Sequence, residues 1–485
     1  MIRNFKSAAL VPRDQPSHAA GRDKLPLRSY ESWLRIPAGR PLTSVFLLAL
    51  LVRLINVALL ANRDAFFAEQ DTFAYWMLGA ALANPETFWP TLSAMTDRMP
   101  LYPLLLAAIQ HAFGDAPRAV ALIQAATDAA TCALIAALGA LISPRVGWIA
   151  GILAALSPTL IVFSTQILTD SLFLFFFALM LLALARFLLR PGAGLAIGAG
   201  LSGGLALVTR PVVTPLLAAA APLVFVIALV QRRNVGRALA AALLFTLAAA
   251  APIAPVLLRN LAQYQSFALT SQTGDHLALW IVPLVRQRAD GTPYQVTVDR
   301  MEERSRQITA QGSTDVANPF RRAALQTELA REEMGRLPLA AYAKAWLEGM
   351  VVNLAAPALL ADPRVRALPK PSFYNTAGTT LWQRARAYLF EQPGAYQILL
   401  LLGLLAMLPF LALEAIGFVM LAWSKPWAAA LAGAVLAYFL LLNGPVAAPK
   451  YRLPMQPVLL VLAAIPLAWL TERRSRYLIR SRMLT

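Results

Sequence analysis

Charge is scarce in this chain: 14% of its 485 residues are Asp, Glu, Lys or Arg, whereas soluble domains carry about 25%. Set against 58% hydrophobic residues, that shortage excludes an ordinary soluble domain and points to a membrane protein. Cysteine is almost absent. The single Cys132 lies inside an apolar run, makes no intrachain disulfide and reads as packing. Histidine is scarce too, with three in the chain, and His111 and His276 show no partner spacing for a metal or a catalytic triad. Residues 1–40 lack the short apolar core and small-residue cleavage site of a secretory signal. They are polar, basic and rich in proline, which predicts a cytosolic basic tail over 1–42, with Tyr30–Ile36 at the membrane surface.

What the chain has in quantity is apolar runs of about 18 to 25 residues, the length that crosses a bilayer as a helix. They predict an all-α polytopic membrane protein of about ten transmembrane helices, near 43–61, 118–141, 147–165, 168–188, 195–209, 212–230, 238–258, 396–422, 427–443 and 454–471. Pro100–Phe113 is apolar but only about 14 residues long, so it reads as an interfacial helix. With that assignment the basic clusters fall on one side. They lie before the first span, at Arg145, at Arg186 and Arg190, at Arg232, Arg233 and Arg237, at Lys425, and in the basic tail 472–485. The positive-inside rule then puts both termini in the cytoplasm, and the net charge of +18 orients helices instead of binding nucleic acid. Two large pieces face outward, a first loop over 62–117 and a segment over 259–395. They divide the chain into a transmembrane module at 43–258 and C-terminal transmembrane helices at 396–471. In the second piece Gln287–Arg336 is charged and Leu337–Leu360 amphipathic to apolar, and a loop of that length is usually functional.

Some residues break the pattern. Arg98, Arg210, Arg259, Lys450 and Arg452 sit at outer ends of spans, where basic residues are disfavoured. One alone reads as a snorkelling side chain; five on one face fit a site for an anion, and arginine's planar fork suits phosphate. Glu69, Asp71, Asp97 and Asp170 share that face, with Asp71 and Asp170 at membrane boundaries, where desolvation favours a carboxylate acting as a base. Clustered carboxylates also suit a hard divalent cation, although no histidine or cysteine joins them. Arg53 and Asp128 lie at similar depth inside the first two spans and read as a structural ion pair. The glycines at 192, 194, 198, 200, 203 and 204 have no strand before them, so close helix packing explains them better than a dinucleotide loop.

The order of these features resembles the phospholipid-carrier-dependent glycosyltransferases of the GT-C class, the superfamily of protein O-mannosyltransferases and bacterial aminoarabinose transferases. The resemblance runs from about Val45 to Leu470. It is carried by Asp71-Thr72-Phe73-Ala74-Tyr75, by Arg98-Met99-Pro100-Leu101-Tyr102-Pro103, by Ser157-Pro158 with Thr169-Asp170, by Leu207-Val208-Thr209-Arg210-Pro211, and by Lys450-Tyr451-Arg452-Leu453-Pro454. It implies a GT-C-type bundle with interfacial helices in the first outer loop. It also implies transfer of a sugar from a polyprenyl phosphate to a protein, lipid or glycan acceptor outside the cytoplasm, at the inner membrane of a bacterium. Asp71 matches the family's catalytic base, and Arg98 and Arg452 match basic positions near the lipid phosphate. Many relatives carry an Asp-Glu pair where this chain has Asp71-Thr72, with Glu69 two residues earlier, which leaves metal use and the acid–base arrangement open. Two other readings compete. A ligase or polymerase of lipid-linked glycans would draw on a lipid diphosphate, and a lipid or solute transporter would show internal repeats and a charged midplane path, neither of which is visible.

Overall fold

A computed structural model of the protein describes residues 40–483, apart from positions 61, 233, 311–316, 371–375, 377–380 and 392, and side chains only as far as 472. The tail expected before residue 40, with its Tyr30–Ile36 segment, lies outside the described residues. Among those described, all regular structure is helical.

The first span is α1 (Arg40–Leu59). The first loop then folds into α2 (Gln70–Ala83), α3 (Pro85–Ala94) and α4 (Leu101–Phe113). At about 1.5 Å per residue, the 13 residues of α4 fall well short of a hydrocarbon core of about 30 Å, as expected of an interfacial helix. α4 stops at Gly114, whose φ of 67° lies in the left-handed region that an L side chain resists. Proline at the first helical position starts both α5 (Pro117–Ala140) and α6 (Pro144–Ala155), and the Ser143 hydroxyl accepts from the Val146 amide to cap α6.

The span expected over 147–165 is not continuous. α6 ends at Ala155, Ser157 is extended, and α7 (Pro158–Phe163) starts afresh. The cause is local. Proline lacks an amide hydrogen and disfavours helical geometry in the residue before it. The break frees carbonyls inside the bilayer, and Arg53 supplies their donors: Nη1 donates to Ala155 O at 2.7 Å and Nη2 to Ala154 O at 3.2 Å. The same guanidinium meets Asp128 Oδ2 at 2.5 Å and the Cys132 sulfur at 3.2 Å. The expected Arg53–Asp128 pair therefore exists, and its task is to cap a broken helix.

α8 (Asp170–Leu189), α9 (Ala193–Thr209), α10 (Thr214–Arg232) and α11 (Val235–Tyr264) follow. α9 presses on α11, and a Cβ at Gly200 or Gly204 would run into the carbonyl oxygen of Phe245 or Ala249. Gly192, Gly194 and Gly198 face open space instead, so close packing explains only part of that glycine run.

The outer segment builds α12 (Gln272–Asp275), a π-turn at His276–Ile281, α13 (Val282–Ala289), α14 (Tyr294–Ala310), α15 (Pro319–Gly335), α16 (Leu339–Ala355), α17 (Pro363–Arg366) and α18 (Leu381–Phe390). It has small cores of its own, one around Ala278, Val282, Met301, Leu329 and Ala330, the other around Ile281, Val285, Ala341, Ala345 and Val446. The chain returns through α19 (Ala395–Ser424), α20 (Pro426–Asn443) and α21 (Gln456–Met483). Around the start of α21, 83% of the apolar window at Pro449–Glu472 is buried, against 6% for α19, so α21 runs through the bundle interior and α19 offers its sides to lipid.

Eight described helices are long and apolar enough to cross a membrane. The other two expected spans correspond to the broken α6–α7 pair and to α9, which has 17 residues. Two of the expected basic residues meet neighbouring segments at one end of the bundle, where Lys425 donates to Leu141 O and Arg145 pairs with Glu472.

Candidate active site

At the opposite end, the first turn of α2 presents Asp71, and the chain entering α4 presents Asp97 and Arg98. Arg98 Nη2 lies 3.1 Å from Asp71 Oδ1, while its Nη1 is 3.7 Å from Asp97. The guanidinium sits over the Tyr75 ring, 5.4 Å from its centroid, because Tyr75 falls one helical turn after Asp71 on the same face. Arg98 is only 17% exposed, whereas Asp71 is 47% exposed. The Nε of Arg98 is buried with no hydrogen-bond partner. A buried donor without an acceptor is costly, so this one marks a place where a ligand oxygen would be welcome.

A second pair stands beside the first. Asp170 opens α8 and Arg210 closes α9, and the two side chains are joined. Asp170 is buried at 4% exposure, and Arg210 lies over the Phe173 ring. Tyr75 links the pairs. Burial pushes its phenol up to about 12; Arg98 and Arg210 pull against that rise, and Asp71 and Asp170 add to it. Its ring meets Tyr102 edge-on at 5.4 Å, and the Tyr102 hydroxyl donates to Gln124 Oε1 at 2.7 Å. Gln124 then donates to the carbonyls of Ser164 and Gln166, in the turn just after the short α7. The broken helix thus supplies acceptors that hold the floor of the site.

Glu69, at the cap of α2, faces two cations from distant segments: Arg366 Nη1 at 3.1 Å and Lys450 Nζ at 4.0 Å. Arg366 also donates to Ala68 O. Nothing in the sequence singled out Arg366, which sits in a charged stretch of the outer segment. Only the PRVR spacing, which puts Arg364 and Arg366 in one short helical turn, hinted at a paired role. Arg364 donates to Asn56 Oδ1 on α1 at 2.9 Å and so ties the same turn to the first span.

The other expected anion-binding residues point elsewhere. Arg259 donates to Leu92 O at 2.8 Å and to its neighbour Asn260, fastening the end of α3. Arg452 is buried, paired with Glu414 of α19 and donating to Leu354 O. Of the five basic residues grouped from the sequence, the structure places Arg98 at Asp71, Lys450 at Glu69 and Arg210 at Asp170 of α8. Among the described residues no three of His, Cys, Asp and Glu stand close enough together to hold a metal ion. Glu69, Asp71 and Asp170 each face a basic partner.

Residues 97–258 match the family model described as dolichyl-phosphate-mannose-protein mannosyltransferase. No individually curated protein matches the chain. The matched segment holds Arg98, Asp128, Asp170 and Arg210 and stops short of Glu69 and Asp71. Set on an all-helical polytopic fold, that match bears out the resemblance read from the motifs: the chain is similar to a GT-C family of membrane glycosyltransferases.

Proposed function

We propose that this protein transfers a sugar from a polyprenyl-phosphate donor to an acceptor hydroxyl or amine, at the outer face of a bacterial inner membrane. The observation that carries this reading is the Asp71–Arg98 pair: a half-exposed carboxylate beside a mostly buried guanidinium whose Nε has no partner. Asp71 takes the acceptor's proton as the acceptor oxygen or nitrogen bonds to the anomeric carbon. The bond from that carbon to the lipid phosphate oxygen breaks, and the phosphate leaves with the electron pair. Arg98 answers the charge developing on it, with Arg210 and Lys450 adding positive field. One such displacement inverts the anomeric centre. Asp170 serves as a positioning residue that holds Arg210, and Glu69 holds Arg366 and Lys450 at the rim. Basic residues at the opposite end of the bundle support cytoplasmic termini and an outward-facing site.

The test is transfer of radiolabelled sugar from a panel of polyprenyl-phosphate sugars, with the full chain in nanodiscs and a membrane extract as acceptor. Label should move with wild type and fall by about 10²- to 10⁴-fold in Asp71→Asn, the usual contribution of a positioned base. Wild-type turnover by the Asn variant would remove Asp71 as the base. Consumption of a lipid-diphosphate glycan, and of no monophosphate donor, would replace this reading with the ligase.

A further inference from the structure

The outer segment holds a cleft of about 480 Å³ that the transfer reaction leaves unused, within the size range of small-ligand sites. α13, α14 and α15 enclose it, with Leu337 and Pro338 forming an apolar lip. Three guanidinium groups, from Arg286, Arg300 and Arg336, share its wall with two carboxylates, Asp290 and Glu333. Glu333 is nearly buried and receives Arg286 at 2.5 Å and Arg336 at 2.9 Å. Arg286 Nε is buried and faces Asp290 Oδ2 at 3.4 Å, an ion pair without hydrogen-bond alignment. Arg300 is exposed and, among the described residues, makes no ion pair. An exposed guanidinium with no ion pair of its own, acting on Asp290 only at longer range, therefore lines a cavity whose charged groups sum to a single positive charge.

That wall selects among anions. A phosphate dianion or a run of acidic side chains would bring only acceptors to a wall where the half-exposed Asp290 carboxylate calls for a donor. A sugar carrying one carboxylate satisfies both halves, its carboxylate on the exposed Arg300 guanidinium and its hydroxyls donating to the half-exposed Asp290, since Glu333 is already met by arginines. α13 also connects the cleft to the candidate active site. Its Val285 packs in the cluster that includes Tyr451, whose phenol lies within electrostatic reach of Arg210, while the adjacent Arg286 faces the cleft.

We propose that this cleft binds a uronic-acid residue of a glycan, and that an acidic glycan is the acceptor class. The second half rests on the glycosyltransferase reading; the binding itself does not. The experiment is calorimetric titration of the full chain in nanodiscs at low salt with trigalacturonate, neutral maltotriose and triglutamate. Trigalacturonate should bind saturably, at least tenfold more weakly to the Arg300→Gln/Arg336→Gln double variant, and unchanged to Asp71→Asn; maltotriose should not bind. No saturable binding, equal binding to the double variant, or triglutamate binding as tightly as trigalacturonate would each overturn the proposal. Because no turnover is read, a chain that binds trigalacturonate yet transfers no sugar would defeat only the glycosyltransferase reading. If transfer is detected, the double variant should raise the acceptor KM and leave kcat unchanged.

Discussion

Replacing Asp128 by leucine leaves Arg53 as a buried charge without its carboxylate. Arg53 is wholly buried and Asp128 is 2% exposed, so water reaches neither. Removing one partner of such a pair costs about 3–5 kcal/mol. Three carbonyls, of Ala49, Ala154 and Ala155, still accept from the guanidinium, which places Asp128→Leu near the lower end, about 3 kcal/mol. Arg53→Met loses both the pair and the cap on α6, and should cost at least as much. The double variant carries no buried charge, but it leaves the Ala155 carbonyl without its Arg53 donor, at about 1–3 kcal/mol, while Ala154 O keeps the Ser157 amide. Its cost should therefore fall below the sum of the singles by about 2 kcal/mol or more, the size expected of directly coupled neighbours. Unfolding of the purified protein by SDS titration in mixed micelles measures all four corners of that cycle. Additive costs, or a loss below about 1 kcal/mol for Asp128→Leu, would refute the account of Arg53 as a cap held by Asp128.

Gly204→Ala should destabilise the protein by about 1–3 kcal/mol through overpacking against the Ala249 carbonyl, while Gly198→Ala, facing open space, should stay within about 0.5 kcal/mol; the same SDS titration compares them. Arg98→Lys keeps a positive charge but loses the planar fork, so transfer should drop by about 10²-fold or more, read as kcat with a saturating lipid donor. The Tyr75 phenol, pushed up to about 12 by burial, stays protonated between pH 6 and 9, so Tyr75→Phe should leave the shape of the pH–rate profile in that window unchanged. An unfolded tyrosine loses its proton near pH 10, before the folded one does. The wild type should therefore lose stability relative to Tyr75→Phe as pH rises from 10 towards 12, which thermal unfolding in that range checks.

Much of the fold was legible because a bilayer imposes a simple rule: a helix must supply about 20 apolar residues to cross it. Hydropathy alone therefore determined the all-helical polytopic class, most of the spans, the short α4 and the two long segments between spans. Depth along two helices was enough to pair Arg53 with Asp128, since an unpaired charge inside a bundle is too costly to persist. What the sequence could not decide is where the fork of each arginine points. Arg98, Arg259 and Arg452 look alike as basic residues at span ends. Tertiary packing gives one an unmet Nε beside Asp71, sends another to the Leu92 carbonyl, and buries the third against Glu414. Arg366 meets Glu69 across almost 300 positions of chain, and no local pattern encodes that contact. The break between α6 and α7 was hidden by an apolar run that reads as one span: Pro158 removes an amide donor there, and Arg53, from another helix, reaches the Ala155 carbonyl it exposes.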